Sequence, residues 1–242
     1  MYRLLLPIFA LFLVVSCGKE SNNLTVNGTV NGLKKGTIYL QKVNDSASVS
    51  IDSAVIDGNP TFTFSTHIES PEVFTLYLDK NDGNNLNDRL EFFAEPGVID
   101  IQTSRDYFAA EAKIEGSESQ KKWDEYKKIV SKFSTKNLEL IKETLQATKD
   151  GNIATADSLR VVSEKNATRS YLYTLNFIFN NKDSYVAPYV TLANAYNTNV
   201  KYLDSIKSSL TPEVANSKYG KMLDEFIKEI KANPSEEEAT AE

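Results

Sequence analysis

Residues 57–65 read Asp57-Gly58-Asn59-Pro60-Thr61-Phe62-Thr63-Phe64-Ser65, a turn followed by a short alternating strand. Gly, Asn and Pro directly after an aspartate are a strong turn signal. Because successive side chains of a strand point to opposite faces, Phe62 and Phe64 share one face. The pattern predicts a β-hairpin in which residues 53–56 form the first strand and the two phenylalanines face inward.

Short runs of the same character fill the rest of the chain between Leu24 and Gly116. They are separated by Gly, Asn, Asp and Pro, which is typical of strands joined by tight loops. The further predicted strands are residues 25–32, 37–41, 73–78, 90–93 and 98–101, with a polar loop at 80–87 and a tight turn at 95–97. Strands of this number and length predict an antiparallel β-sandwich or a partly open barrel, which we place at residues 24–117.

Helical spacing begins at Glu118, and no Gly or Pro interrupts it before Gly151. Further helices are predicted over residues 154–179, after Ser184 with Pro188 in the first turn, over 200–210, and after Thr211-Pro212. The fold class is therefore α+β, with an all-helical domain at residues 118–232 behind the strands. The last residues, 233–242, include four glutamates and are predicted to form a disordered acidic tail.

The apolar residues of each helix also predict which face is buried, because positions three and four apart lie on one side of a helix. Trp123 is expected to pack between its helix and the sheet. The full set of predicted inward positions is Trp123, Tyr126, Val130, Phe133, Leu138, Ile141 and Leu145; Leu159, Val162, Tyr171, Leu175 and Ile178; Tyr189, Leu192, Ala193 and Tyr196; and Tyr219, Met222, Leu223, Phe226, Ile227 and Ile230.

The first sixteen residues have the features of a bacterial export signal. Arg3 precedes an apolar stretch, residues 4–15, that is too short to span a bilayer, and the small Ser16 stands before Cys17. We expect cleavage before Cys17 and attachment of lipid to its thiol, with residues 17–23 as a flexible tether. The alternatives are an ordinary secretory signal with a fortuitous cysteine and a cytosolic protein with an apolar start.

An anchor of this kind determines the expected location. Two or three buried acyl chains hold a protein on a membrane essentially permanently. No aspartate follows Cys17 directly, which favours the outer membrane over retention at the inner membrane. The periplasmic face is favoured over the cell surface, because Glu20 alone suggests an acidic surface-export signal.

Composition excludes several classes of function. The formal net charge is −6, and loss of Arg3 with the signal peptide leaves −7, so nucleic acid is a poor candidate partner. Cys17 is the single cysteine, so no disulfide can form within the chain. We assign Cys17 to lipid attachment and not to nucleophilic chemistry, and we predict no cofactor.

The order of motifs in the strand half resembles a domain of unknown function at the front of many Bacteroidetes-type lipoproteins. In those proteins a thioredoxin-like domain of the thiol-disulfide or peroxiredoxin type follows. The matching motifs are Val26-Asn27-Gly28, Gly36-Thr37-Ile38-Tyr39-Leu40, Asp52-Ser53-Ala54, Gly58 with Phe62 and Phe64, Phe93 with Glu95-Pro96-Gly97 and Ile99, Glu115-Gly116-Ser117, Ser184-Tyr185-Val186-Ala187-Pro188, and the stretches Leu210-Thr211-Pro212 and Ser217-Lys218-Tyr219-Gly220.

The resemblance implies a fold and a location but no catalytic residue. Thiol-disulfide exchange needs an attacking thiolate and a second thiol, and this chain has no Cys-x-x-Cys pair. The redox activity of the longer family members is therefore not transferred to this sequence.

Three sets of side chains are candidate sites. His67 is the single histidine and is expected to be an ordinary surface residue, since a zinc or acid-base site needs further partners. Asp79, Asp82 and Asp88 lie around a polar loop without EF-hand spacing, so we predict a solvated loop and no metal. Tyr171, Tyr173, Tyr185, Tyr189, Tyr196 and Tyr202 crowd the helical half, where core positions are favoured over a groove for a sugar or peptide.

These features lead to one main hypothesis and two alternatives. The main hypothesis is a non-enzymatic binding or accessory lipoprotein of the envelope, whose partner is an envelope protein or a glycan. One alternative is an adaptor for a separate thiol-disulfide redox protein. The other is a hydrolase or glycan-active enzyme that uses carboxylates which the sequence does not pair.

Overall fold

The computed structural model describes residues 21–44, 47–80, 83 and 88–233. The predicted signal peptide, Cys17 and residues 234–242 lie outside the described residues. Ser21, Asn22 and Asn23, predicted as the end of a flexible tether, are instead joined to the strand half by hydrogen bonds to Ser65, His67 and Ile68. Asn233 is the C-cap of the last helix.

Eight described strands form two four-stranded sheets. The first sheet has the order β4-β1-β7-β8 and the second β3-β2-β5-β6. The α+β prediction is confirmed, and the sheets form a sandwich and not a closed barrel. The strands are β1 (Leu24–Asn31), β2 (Lys35–Asn44), β3 (Ala47–Asp57), β4 (Thr61–Thr66), β5 (Glu72–Asp79), β6 (Arg89–Ala94), β7 (Gly97–Ser104) and β8 (Lys113–Glu115).

The sheets are antiparallel apart from one pair. β1 runs parallel to β7, with Leu24 opposite Gly97 and Asn31 opposite Ser104. A parallel pair requires a long crossover, and here the whole second sheet lies between the two strands in sequence. The sequence had not predicted β8, which is only three residues long.

The predicted hairpin at residues 57–60 is wrong. β3 pairs with β2, whereas β4 pairs with β1, so the turn carries the chain from one sheet to the other. The inward aromatic face is confirmed, because Phe62 and Phe64 are both buried. Phe62 lies opposite Gly28, and a Cβ built on Gly28 would lie 2.0 Å from the Phe62 ring. The absence of a side chain at Gly28 thus makes room for the ring.

Six described helices follow the strands. The polypeptide changes from strand to helix between Glu115 and Glu118. Among the described residues, no helix has the length and apolar character needed to cross a bilayer. The helices are α1 (Glu118–Lys149), α2 (Ile153–Asn180), α3 (Val186–Asn194), α4 (Val200–Ser209), α5 (Pro212–Ala215) and α6 (Lys218–Ala232).

Helices α1 and α2 form a long antiparallel hairpin, and its contact seam differs from the predicted one. The residues turned toward the partner helix recur at alternating intervals of three and four, as in a coiled coil. In α1 they are Tyr126, Val130, Phe133, Asn137, Leu140, Thr144 and Ala147, and in α2 they are Ala156, Leu159, Ser163, Asn166, Ser170, Tyr173 and Phe177.

Several predicted core positions are therefore wrong. The predicted series in α1 stepped by five from Phe133 to Leu138, which moved it onto the neighbouring stripe of the helix. Leu138 is 68% exposed and Leu145 66% exposed, and the other predicted inward residues that are exposed are Ile141, Val162, Ala193, Tyr196 and Met222. The hydrophobic pattern did not predict the actual seam, because polar residues occupy the middle of it.

The two halves of the molecule share an aromatic cluster, which we call the junction cluster: Phe93, Trp123, Tyr189 and Tyr219. Ring centroids lie 6.1 Å apart for Phe93 and Trp123, and 5.6 Å for Phe93 and Tyr189, both edge to face. The predicted role of Trp123 as a contact between helix and sheet is confirmed. Edge-to-face pairs of this kind each contribute about 0.5–1.5 kcal/mol beyond the area that they bury.

Polar contacts fix the same boundary. Gln120 of α1 accepts a 2.7 Å hydrogen bond at Oε1 from the backbone N–H of Phe93. The Glu95 carboxylate, in the turn between β6 and β7, accepts the N–H groups of Glu118 and Ser119 at 2.6 and 3.2 Å. These N–H groups belong to the first turn of α1, where a helix has no internal acceptors, so Glu95 caps the helix from the sheet.

Candidate functional site

A groove with uncharged walls lies on one side of the α1–α2 hairpin, and we call it the amide groove. It has a volume of about 340 Å³, at the lower end of the range of small-molecule pockets. A quarter of the residues of this protein are charged, yet the groove lining contains no charged side chain. The lining residues are Tyr126, Val130, Phe133, Ser134, Asn137, Asn166, Ala167, Ser170, Tyr171, Thr174, Asn194 and Asn197.

Seam residues supply the inner polar groups of the groove. The Ser163 hydroxyl donates to Asn137 Oδ1 at 2.6 Å, and Asn166 Nδ2 donates to the Phe133 carbonyl at 2.9 Å. Polar residues at such positions fix the register of two helices and lower their stability relative to apolar ones. These bonds hold the Asn137 and Asn166 amides in place along the groove.

An aromatic residue closes the inner end. The Tyr126 hydroxyl lies 3.0 Å from the Thr174 hydroxyl, and both residues are buried. The Tyr126 ring stacks on Tyr173 with centroids 6.1 Å apart. Burial raises the pKa of Tyr126, so its hydroxyl stays protonated and neutral at ordinary pH.

The outer rim comes from the segment that follows α3. Helix α3 ends at Asn194, and the chain then turns through Ala195 before α4 begins. The Tyr171 hydroxyl lies 3.2 Å from the Thr198 hydroxyl, which ties the rim to α2. The side-chain amides of Asn194 and Asn197 are exposed and form no hydrogen bond with another residue in the described part of the chain. They are therefore available to a ligand.

A second, apolar surface continues from the groove along α1. Trp123, Lys127, Leu138 and Tyr189 line it, and it shares Val130 and other residues with the amide groove. The Lys127 ammonium lies 3.8 Å from the centroid of the Trp123 ring, a cation–π contact. Together the two surfaces offer amide and hydroxyl groups beside aromatic rings. This combination suits a neutral ligand that has both hydroxyl groups and apolar faces.

The six tyrosines considered from the sequence are divided among different roles. Tyr171 lines the amide groove, Tyr173 stacks under it, and Tyr189 belongs to the junction cluster. Tyr196 and Tyr202 are exposed, 58% and 54%, and do not line the groove. Neither the core nor the groove prediction therefore holds for the whole set.

Tyr185 is engaged in a contact within the helical half. Its hydroxyl donates a 2.5 Å hydrogen bond to Glu213 Oε1. Burial, together with this bond to a carboxylate, raises the pKa of Tyr185 to about 12.

Sequence reasoning missed the four asparagines of the groove. Asn137 and Asn166 interrupt the apolar pattern at seam positions, and this interruption is the signal that could have identified them. Asn194 and Asn197 carry no such signal, because they lie at the end of α3 and in the loop after it, whose positions depend on tertiary contacts. Asparagine in a loop is common for reasons of backbone conformation alone.

The candidate metal residues do not converge. Among residues 21–44, 47–80, 83 and 88–233, no group of three His, Cys, Asp or Glu side chains is arranged to hold a metal ion. Asp88 is buried and forms an ion pair with Lys80, so its carboxylate is already balanced by an ammonium. Asp82 lies outside the described residues. His67 Nδ1 lies 3.2 Å from the Ser21 carbonyl, beside the start of β1.

Comparison with known proteins bears on the strand half. Residues 24–123 match the family model described as Domain of unknown function (DUF4369), which covers all eight strands and the first residues of α1. The predicted resemblance to a domain of unknown function is thereby supported. No protein of curated function and no solved structure matches this chain.

Proposed function

We propose that this protein is a lipid-anchored, non-catalytic binding module of the bacterial envelope that captures a neutral, hydroxyl-rich ligand such as a glycan in the amide groove. Cys17 carries the lipid, in an outer-membrane protein of the Bacteroidetes type that faces the periplasm. The matched family model describes the strand half as a domain of unknown function. The ligand site belongs to the helical half.

The observation that most supports a neutral ligand is the composition of the groove lining. No lining side chain carries a charge that could pair with a charged ligand, so the lining favours a neutral one. Amide groups both donate and accept hydrogen bonds, which matches the alternating donors and acceptors of a sugar. Tyr171 and Phe133 add flat apolar surface beside them.

The junction between the two halves supports binding over carboxylate-based hydrolysis. Such a hydrolase needs two carboxyl groups that face each other across an open cleft. Here the junction cluster fills the boundary with rings that touch edge to face. Aromatic packing of this kind leaves no room for a sugar at the junction cluster itself, and in the cavity beside it Glu72 is already paired with Lys218.

The test is ligand binding by the purified chain with matched asparagine variants. Titration calorimetry with a panel of neutral oligosaccharides, for example glucose-, galactose- and mannose-based chains, should give binding by at least one of them. Asn194→Ala with Asn197→Ala should weaken that binding at least about fivefold, because each of the two lost hydrogen bonds contributes about 0.5–1.5 kcal/mol. Asn176→Ala, an exposed asparagine of α2 outside the groove lining, is the control and should bind normally.

Two results would remove the proposal. One is turnover of an oligosaccharide by the purified protein, and the other is equal affinity of the groove variant and the Asn176 control. Enrichment of a Cys-x-x-Cys protein on the anchored chain, without glycan binding, would instead support the redox adaptor hypothesis.

A further inference from the structure

A second cavity, of about 680 Å³, lies where the N-terminal end of the described chain meets the helical half, and we call it the anchor-side cavity. Its charged and titratable lining comes from β2, from the segment between β4 and β5, from the first residue of β5, and from α6. These residues are Lys42, His67, Glu69, Glu72, Lys218 and Lys221.

The start of β1 is bonded to the wall of this cavity. Asn23 Nδ2 donates to the Ile68 carbonyl and Asn23 Oδ1 accepts from the Ile68 N–H, both at 2.9 Å. The Ser21 carbonyl lies 3.2 Å from His67 Nδ1. Ile68 and His67 both line the cavity, so the chain enters the folded body at its edge.

The length of the chain before Ser21 restricts how far this edge can be from Cys17. Four residue steps separate Cys17 from Ser21. A fully extended chain advances at most about 3.6 Å per residue, so Ser21 stays within about 14 Å of the acylated cysteine. If Cys17 lies at the membrane surface, Ser21 and the cavity edge that it contacts lie close to that surface as well.

The charges of the cavity fit a surface of anionic headgroups. Lys218 is paired with Glu72, whose side chain is only 8% exposed, and also donates to the Val43 carbonyl at 3.1 Å. Lys42 and Lys221 form no ion pair within the described part of the chain and face one remaining carboxylate, Glu69. This surface therefore has a positive balance in a chain whose net charge is −6.

We infer that the anchor-side cavity is the membrane-facing surface of the protein, where Lys42 and Lys221 bind the phosphate groups of anionic lipids. This inference rests on the proposed lipid anchor at Cys17. It fixes the orientation of the protein, because one defined face rests on the bilayer and the tip of the α1–α2 hairpin, near Gly151, is free of it. Lysines near an anionic surface are attracted to it, and the attraction weakens with salt.

The test measures how fast an amine reagent labels individual lysines of the protein on lipid vesicles. Lipidated full-length protein is inserted into preformed vesicles of phosphatidylcholine, with or without phosphatidylglycerol. A membrane-impermeant amine reagent then labels the lysines, and mass spectrometry of peptides gives each rate. Lys142 and Lys149 are the controls, since they lie about 36 and 46 Å along α1 from its first residue, at 1.5 Å per residue.

The inference predicts that phosphatidylglycerol slows labelling of Lys42 and Lys221 about fivefold, and that high salt reverses most of the effect. Lys142 and Lys149 should be unchanged. If phosphatidylglycerol leaves the labelling rate of each of the four lysines unchanged while the protein still floats with the vesicles, the inference is overturned and the proposed anchor is unaffected. Protein that fails to float would contradict the proposed anchor, and the orientation with it.

Discussion

The hydroxyl of Tyr219, in α6, accepts a 2.9 Å hydrogen bond from the backbone N–H of Val73, in β5. The two residues are 146 positions apart in sequence, and the bond joins the last helix to the second sheet. The Tyr219 ring also contacts Tyr189, with centroids 5.0 Å apart. One side chain thus links the strand half, α3 and α6.

Tyr219→Phe should lower the free energy of unfolding by about 1–3 kcal/mol, because the ring is kept and the N–H of Val73 loses its acceptor in a buried place. Urea unfolding followed by circular dichroism measures this. Tyr202→Phe, at an exposed position, is the control and should change stability by less than about 0.5 kcal/mol. A Tyr219→Phe protein as stable as this control would show that the bond contributes nothing to the junction.

Alkaline pH should destabilise the fold through the ionisation of Tyr185, Tyr189 and Tyr219. Burial raises the pKa of Tyr189 to about 12, and burial with the bond to Glu213 raises that of Tyr185 to about 12, against an ordinary value of about 10. Burial also raises the pKa of Tyr219. Because the folded state favours the protonated form, this contribution is complete below pH 10 and is lost between pH 10 and pH 12.

The measurement is the urea midpoint as a function of pH. For the unmodified protein it should fall between pH 10 and pH 12, and Tyr189→Phe should make that fall shallower, because one raised pKa is removed. Tyr202→Phe should leave the slope unchanged. Identical slopes for the two variants would contradict the assignment to Tyr189.

Glycine at residue 116 should be essential, whereas glycine at residue 32 should not. Both have positive φ, +96° for Gly116 and +81° for Gly32. A Cβ on Gly116 would lie 2.0 Å from the Val98 carbonyl oxygen, but one on Gly32 would meet nothing within 4 Å. Gly32→Ala therefore adds backbone strain alone, about 1 kcal/mol, whereas Gly116→Ala adds a clash with fixed backbone and should destabilise by at least about 3 kcal/mol. Thermal unfolding of both variants checks the difference, and equal melting temperatures would contradict it.

Local patterns predicted most elements of this fold, because strand alternation and turn residues act over a few positions. Phe62 and Phe64 were correctly placed inward from alternation alone. Local patterns did not predict which strands pair with each other. β3 and β4 flank a strong turn, yet they belong to different sheets. The partner of each strand depends on contacts distant in sequence, such as Gly28 opposite Phe62.

The candidate site was harder to predict for the same reason. Apolar spacing predicted the two helices α1 and α2, but it placed Leu138 and not Asn137 on the buried face of α1, because a hydrophobic pattern does not register polar contacts. The amide groove depends on such polar positions, on Asn194 at the end of α3 and on Asn197 in the loop that follows. No short-range rule brings that loop to the hairpin.

Asn166→Leu should separate the stability of the hairpin from the function of the groove. Leucine at a coiled-coil seam position is more favourable than asparagine, and the Phe133 carbonyl lies inside α1, where a helical N–H already bonds it. The variant should therefore be as stable as the parent or more stable by about 1 kcal/mol, while its affinity for the oligosaccharide falls about two- to tenfold because the hydrogen bond of one groove amide is lost. Asn176→Leu, on the exposed side of α2, is the matched control and should keep full affinity.

Thermal unfolding and calorimetry on the same samples measure the stability and the affinity of both variants. A variant that loses stability and binding together would mean that Asn166 serves the register of the two helices and not the ligand.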